Sequence, residues 1–337
     1  MPTASKKTIV ILGAGSMGTA LGHILAEKEE LKVILLTIEP EVADSINNLN
    51  SNQKYFPNIR LSKNLKATLG EYVFRDADIL FLAIPSVAVM DYILQNRKYL
   101  NNSTILVNLA KGFANNNQVI AENLMELLPN PVCSMKGPAF ARDMIGGSPT
   151  GFTLASHHTE LWPVFGELFS ETSVYLDYTN DLRGVEILSI LKNIYAIVLG
   201  IVDAHYNSAN LRFLLLTRAF NEMRHVLLFF GGQQETLFRY CGYGDFSLTA
   251  LNDLSRNRTL GLLIGKGFFT EDISSRVVLE GRMAVNIFYE KLLREGVPDD
   301  KIPLMKQLYY VLNNNLPVQE MIRSLLSKDL SDAYPDD

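Results

Sequence analysis

The sequence predicts an α/β protein, a doubly wound sheet followed by an all-α domain. Three observations predict it. Short apolar runs alternate with amphipathic stretches up to about residue 180, a glycine-rich turn follows the first of those runs, and beyond residue 184 long segments with helical spacing take over. The 337 residues exceed the size at which one core stops growing, so two domains are expected. They read as 1–184 for the α/β domain and 185–330 for the helical domain, with 331–337 as a frayed acidic tail.

The apolar runs lie at residues 9–12, 33–37, 79–84, 104–109, 132–134 and 151–155. Strand and helix signals taking turns imply a parallel sheet covered on both faces. After Asp181-Leu182-Arg183-Gly184, helical spacing dominates residues 185–202, 211–230, 277–294 and 306–312. No internal repeat or low-complexity segment interrupts the chain.

Composition excludes several function classes. A hydrophobic share of 47% with 20% charged residues is ordinary for a globular enzyme. The net charge of −5 argues against a nucleic-acid or anionic-membrane partner, which would need a positive surface. Residues 1–7 are polar and the run at 9–12 is too short for a signal peptide. Later apolar stretches, 194–202 among them, are expected to fall short of the ~20 residues of a membrane span. The expected address is therefore the cytoplasm. Cys133 and Cys241 form no disulfide framework, and neither they nor the five histidines show metal-ligand spacing, so both cysteines read as reduced packing residues and no metal is expected.

Gly13-Ala14-Gly15-Ser16-Met17-Gly18 stands directly after a strand signal and directly before a helix signal. That is the context a dinucleotide fingerprint requires, and it makes the sheet Rossmann-type. Gly13 allows the tight turn, Gly15 lets the backbone approach a pyrophosphate, and Gly18 lets the helix pack on the strand. The phosphates would sit on the helix N-terminus, where N–H groups and the dipole favour negative charge. Glu39 ends the second strand, where an acid binds the adenosine ribose hydroxyls and repels a 2′-phosphate. No arginine lies in its turn, so NAD is expected, with NADP possible.

Lys192-Asn193 interrupts a helix that is apolar on nearly every side. Burying an ammonium there is costly unless it is paired or its pKa falls, and a lowered pKa suits a base that takes a proton from an alcohol as hydride leaves carbon. The bland alternative is a lysine reaching along the helix to solvent. Asp245 follows Gly242 and Gly244, a spacing that suggests a tight turn near a ligand. Ser255-Arg256-Asn257 offers a hydroxyl, a guanidinium and an amide together, and the guanidinium fork suits a phosphate. Lys111-Gly112 lies past the 104–109 run, outside the carboxyl end of a strand, where ligands collect in open α/β sheets.

With these residues in view, the chain resembles the soluble, bacterial-type NAD(P)-dependent glycerol-3-phosphate dehydrogenases from about residue 8 to about 325. The resemblance is carried in order by the stretch 13–20, Tyr55-Phe56-Pro57-Asn58, Lys111-Gly112, Gly137-Pro138-Ala139-Phe140-Ala141, Gly184-Val185-Glu186 and Leu191-Lys192-Asn193. Thr217-Arg218, Gly244-Asp245, Ser255-Arg256-Asn257 and Val278-Leu279-Glu280-Gly281 continue it. It implies that Lys192 is the proton acceptor, with Asp245 and Lys111 beside it in the catalytic set. Gly137, Ala139, Asn193, Thr249, Ser255, Arg256 and Asn257 would complete the substrate site. Ser16, Met17, Lys111, Ala141, Arg256, Val278 and Glu280 would join the glycines and Glu39 at the cofactor.

The implied reaction interconverts sn-glycerol 3-phosphate and dihydroxyacetone phosphate, supplying glycerol 3-phosphate for phospholipid synthesis in a cytosolic homodimer. Ala139 stands where the family has serine, Met17 where it has tryptophan, and Leu188-Ser189-Ile190 where it has small residues. Residues 203–209 replace a glycine-rich run. These departures are expected to enlarge side chains near the charged set. They keep two alternatives open: a dehydrogenase of the same architecture for another phosphorylated or acidic hydroxy compound, and a non-catalytic NAD(H)-binding sensor.

Overall fold

A computed structural model describes residues 6–114, 117–268, 275–313 and 316–327, without the side chains of 275–280. The chain divides into two compact units, Met1–Glu186 and Ile187–Asp337.

The first unit is built on one eight-stranded sheet in the order β3-β2-β1-β4-β5-β6-β7-β8. The strands are β1 (Lys7–Leu12), β2 (Leu31–Leu36), β3 (Leu65–Thr68), β4 (Ile79–Leu82), β5 (Ile105–Asn108), β6 (Val132–Lys136), β7 (Thr150–Ala155) and β8 (Val174–Thr179). Intervening helices are α1 (Ser16–Leu25), α2 (Pro40–Leu49), α3 (Ser86–Asn96), α4 (Ile120–Leu127), α5 (Ala141–Ile145) and α6 (Trp162–Phe169). The order reverses at β1, whose neighbours are β2 and β4, and this switch point is where an open α/β sheet holds its ligand. β1 and β4 are buried on both faces, which is why they read as unbroken apolar runs.

Two features depart from the expected all-parallel sheet. β7 runs antiparallel to β6, and β8 then pairs parallel with β7. β3 and β8 are edge strands that carry no continuous apolar run. Leu-Lys-Ala-Thr buries alternate residues, and Val-Tyr-Leu-Asp-Tyr-Thr is half exposed.

The second unit is helical: most of α7 (Leu182–Asp203), then α8 (Ala209–Phe229), α9 (Asp245–Leu251), α10 (Arg256–Gly265), α11 (Ser275–Arg294), α12 (Pro303–Leu312) and α13 (Val318–Leu325). α9, α10 and α13 are short, and their spacing does not stand out in the sequence. Asp181 starts α7 by accepting the Gly184 N–H at 2.9 Å.

Contrary to the expectation that the apolar stretches are too short, α7 has 22 residues and is long and apolar enough to cross a membrane. Yet 94% of its apolar window is buried within the protein, so its all-round apolar surface is that of a core helix.

Candidate functional site

In the first unit, Gly13 has φ +110°, and a Cβ there would lie 2.6 Å from the Ala83 carbonyl oxygen. A Cβ on Gly18 would lie 1.9 Å from the Gly13 oxygen, so α1 can press onto the turn only with glycine at that position. Gly15 faces open space and forms the N-cap of α1 without a side-chain cap. The turn therefore presents bare backbone at a helix N-terminus, with Ser16 exposed and Met17 half-buried in the first turn. This cradle fits a dinucleotide pyrophosphate.

β2 ends at Leu36, short of the expected Glu39, which is instead the N-cap of α2 and is not a solitary acid. Its carboxylate pairs with Lys54 and accepts from the Tyr55 hydroxyl at 3.4 Å. The hydrogen bond to Glu39 holds the Lys54 ammonium above the usual lysine range. The turn itself holds no arginine, and the cation beside Glu39 comes from a separate segment, 15 residues on.

Lys111 lies just past β5, half-buried, and its Nζ donates to the Gly137 carbonyl at 3.4 Å. Gly137 follows β6, where a Cβ would sit 2.2 Å from the Gly151 oxygen, so the residue is required by the close approach of β7. Ala139 and Ala141 are partly buried against the sheet core, and Ala141 opens α5.

Below these loops lies a buried group that the sequence reading missed. Lys136 and Glu186 form an ion pair at 3.0 Å with side-chain exposures of 0% and 1%. Lys136 also donates to the Asn108 carbonyl at 2.7 Å, the Asn108 amide donates to Glu186 at 2.8 Å, and Ser134 donates to the same carboxylate. The only sequence signal for it is a lysine that ends the buried β6 and an acid in the first turns of α7.

In the second unit, Lys192 is buried, and its Nζ donates to Asp245 Oδ1 at 2.5 Å and to Thr249 Oγ1 at 2.8 Å. The alternative of a lysine reaching solvent is overturned. Asp245 and Thr249 stand one turn apart on α9 and so face Lys192 together. Asp245 supplies the countercharge that burial demands.

The glycines before Asp245 do not make the tight ligand turn expected of them. Residues 240–244 form a π-helical turn leading directly into α9, and Gly242 is needed because a Cβ would lie 2.2 Å from the Leu237 oxygen. Asn193 is half-buried, and its amide reaches back to the Ser189 carbonyl at 3.4 Å.

Ser255 is the N-cap of α10, accepting the Arg258 N–H at 3.3 Å. Arg256, exposed, and Asn257, half-buried, therefore occupy the first turn of a ten-residue helix, where the backbone itself favours an anion. Arg258 anchors this turn from beneath. It is buried, pairs with Asp203 and with Asp253 at 3.2 Å, and donates to the Ala250 carbonyl. Asp203 also takes Arg212 at 2.9 Å, which gives the first residue of the sequence-divergent stretch 203–209, at the end of α7, a structural task. The side chains of Val278 and Glu280 lie outside the described residues.

Leu188, Ser189 and Ile190 are no more than 2% exposed, as buried as Asp245 itself, and Leu188 stands one helical turn before Lys192.

Known proteins agree with this arrangement. Residues 8–162 match the family described as the N-terminus of NAD-dependent glycerol-3-phosphate dehydrogenase, and residues 181–323 match its C-terminus. A glycerol-3-phosphate dehydrogenase [NAD(P)+] of Clostridium tetani is 34% identical over 335 residues, covering 97% of this chain and 94% of the relative. One from Methanothermobacter thermautotrophicus is 32% identical over 320 residues, 93% of this chain and 96% of the relative. Among solved structures, the glycerol-3-phosphate dehydrogenase of Coxiella burnetii superposes with a TM-score of 0.87 at 29% identity, covering 96% of this chain and all of that one. A ketopantoate reductase from Ralstonia eutropha, 14% identical with a TM-score of 0.58, covers 94% of this chain and 99% of its own and shares the fold alone.

Proposed function

The chain belongs to the NAD-dependent glycerol-3-phosphate dehydrogenase family, and from that premise we propose that it interconverts sn-glycerol 3-phosphate and dihydroxyacetone phosphate with NAD(P). The observation that carries the proposal is the buried Lys192, held by Asp245 and Thr249. The nicotinamide, when bound, supplies or takes the hydride at C2. The proton is this chain's business. In reduction, the Lys192 ammonium donates to the ketone oxygen as it becomes an alcohol; in oxidation, the amine takes that proton back. Asp245 and Thr249 fix Nζ in place through both directions. Arg256 and Asn257, at the first turn of α10, suit the phosphate of the substrate, and the turn 13–18 suits the pyrophosphate of the cofactor.

Lys111, Gly137, Ala139 and Ala141 are proposed contacts on the sheet unit, and Asn193, Thr249, Ser255, Val278 and Glu280 on the helical one. Ser255 contributes chiefly by capping the helix that bears Arg256. The intact Lys192–Asp245 pair favours an enzyme over a sensor.

A cytoplasmic address is supported by two free, buried cysteines, which fit a reducing compartment. The homodimer rests on the resemblance alone and is read by sedimentation velocity. Dihydroxyacetone-phosphate-dependent oxidation of NADH by the purified protein tests the activity. Nucleotide binding without any turnover would leave only the sensor.

A further inference from the structure

Glu39, at the N-cap of α2, meets Lys54 and Tyr55 on a segment that is itself tied to the glycine turn. Residues 50–56 are tied down tightly. Asn52 is fully buried, and its amide donates to the Ala14 carbonyl at 2.9 Å and to Thr19 Oγ1 at 2.8 Å, inside the dinucleotide turn itself. Phe56 N–H closes on the Asn52 carbonyl at 2.7 Å, and Ser45 Oγ donates to the Ser51 carbonyl at 2.6 Å. A rigid arm anchored on the glycine turn thus carries Lys54 and Tyr55 to Glu39. Lys54 stays 51% exposed, so its ammonium caps the acid while still facing solvent.

We propose that Lys54 is a cofactor-selectivity residue: it cancels the charge of Glu39 and supplies the cation a 2′-phosphate needs, so that NADPH is accepted beside an acid that would otherwise reject it. Glu39 alone would select NADH, because a carboxylate favours ribose hydroxyls and repels a phosphate of nearly two negative charges. With Lys54 on its outer oxygen, that repulsion is neutralised, and the long, flexible lysine stem lets the ammonium swing to a phosphate. When NADH binds instead, the ammonium remains on Glu39. Asn52 fixes the arm, so the choice between the two positions costs no backbone rearrangement.

The inference rests on the dinucleotide reading above but not on the substrate, and its test needs no triose phosphate. NADH and NADPH dissociation constants are measured by nucleotide fluorescence on the full-length wild type and on Lys54→Met, Lys54→Arg and Glu39→Gln, each at low and high salt. Lys54→Met is expected to lower NADPH affinity relative to NADH about tenfold and to remove the steeper salt dependence of NADPH binding. Lys54→Arg should keep the ratio, and Glu39→Gln should move it towards NADPH. A ratio that changes less than threefold in Lys54→Met, or a wild type that binds no NADPH, overturns the proposal. Failure of ketone reduction with these ratios intact would instead remove the substrate assignment and leave Lys54 standing.

Discussion

Lys192→Met separates chemistry from packing more cleanly than any other single change. The wild-type ammonium sits at 5% side-chain exposure, 2.5 Å from a carboxylate at 2% exposure. Methionine fills the same volume but removes the proton donor and strands Asp245 as a buried charge. Losing a positioned acid or base costs about 10²- to 10⁴-fold in kcat. Breaking a buried pair costs about 3–5 kcal/mol of stability, because the remaining charge is uncompensated. For a unit of this size that is a fall of about 6–20 °C in Tm.

The double variant Lys192→Met/Asp245→Leu removes both charges, and replacing a buried pair by apolar groups is close to neutral. It should therefore recover most of the lost Tm while kcat stays at least about 10²-fold down. Steady-state kinetics and calorimetry on the same preparations read both effects. Turnover that returns with the stability would show that Lys192 holds the fold rather than the proton, and the mechanism would fall.

Arg256→Lys should raise KM for dihydroxyacetone phosphate roughly thirtyfold, about 2 kcal/mol for a lost charge-assisted fork, and leave the poor rate on unphosphorylated dihydroxyacetone nearly as it was; equal wild-type rates on the two ketones would defeat it. Glu222, buried in α8, accepts the Leu304 and Met305 N–H groups and the Tyr195 hydroxyl, yet burial pushes its carboxyl up to about 8 against those donors. Since the folded value lies above the unfolded one, its contribution is complete below about pH 4.5 and is lost as pH rises through about 8. Urea unfolding from pH 5.5 to 8.5 should show stability falling by up to roughly 3 kcal/mol from this group, with a flatter profile in Glu222→Gln; parallel profiles would contradict it. Lys136→Met leaves Glu186 buried without its ion pair and should cost about 3–5 kcal/mol in the same assay, most of it restored by adding Glu186→Leu.

Legibility in the sequence followed burial symmetry. β1 and β4 are covered on both faces and announce themselves as apolar runs, whereas β3 alternates and β8 is mostly half-buried, and both edge strands merge with loops. The reversal between β6 and β7 left no trace, because strand direction is set by the connection and not by side-chain type. α7 and α11 have 22 and 20 residues, long enough to stand out, but α9 and α13 have 7 and 8, too few turns for a pattern to emerge.

The candidate site was legible where a residue contradicts its surroundings and opaque where two such residues cancel. Lys192 stood out as a charge in an apolar helix, but its partner had to be found in space, 53 residues away. Lys136 and Glu186 are the same kind of contradiction, and neither points to the other along the chain. Glu39 shows the opposite failure. No arginine stands in its turn, and the cation that pairs with it, Lys54, folds back from a separate segment. Charge in this protein has to be counted in pairs formed by the fold. A variant that removes one partner, at Lys54 as at Lys192, therefore reads the residue left behind as much as the residue removed.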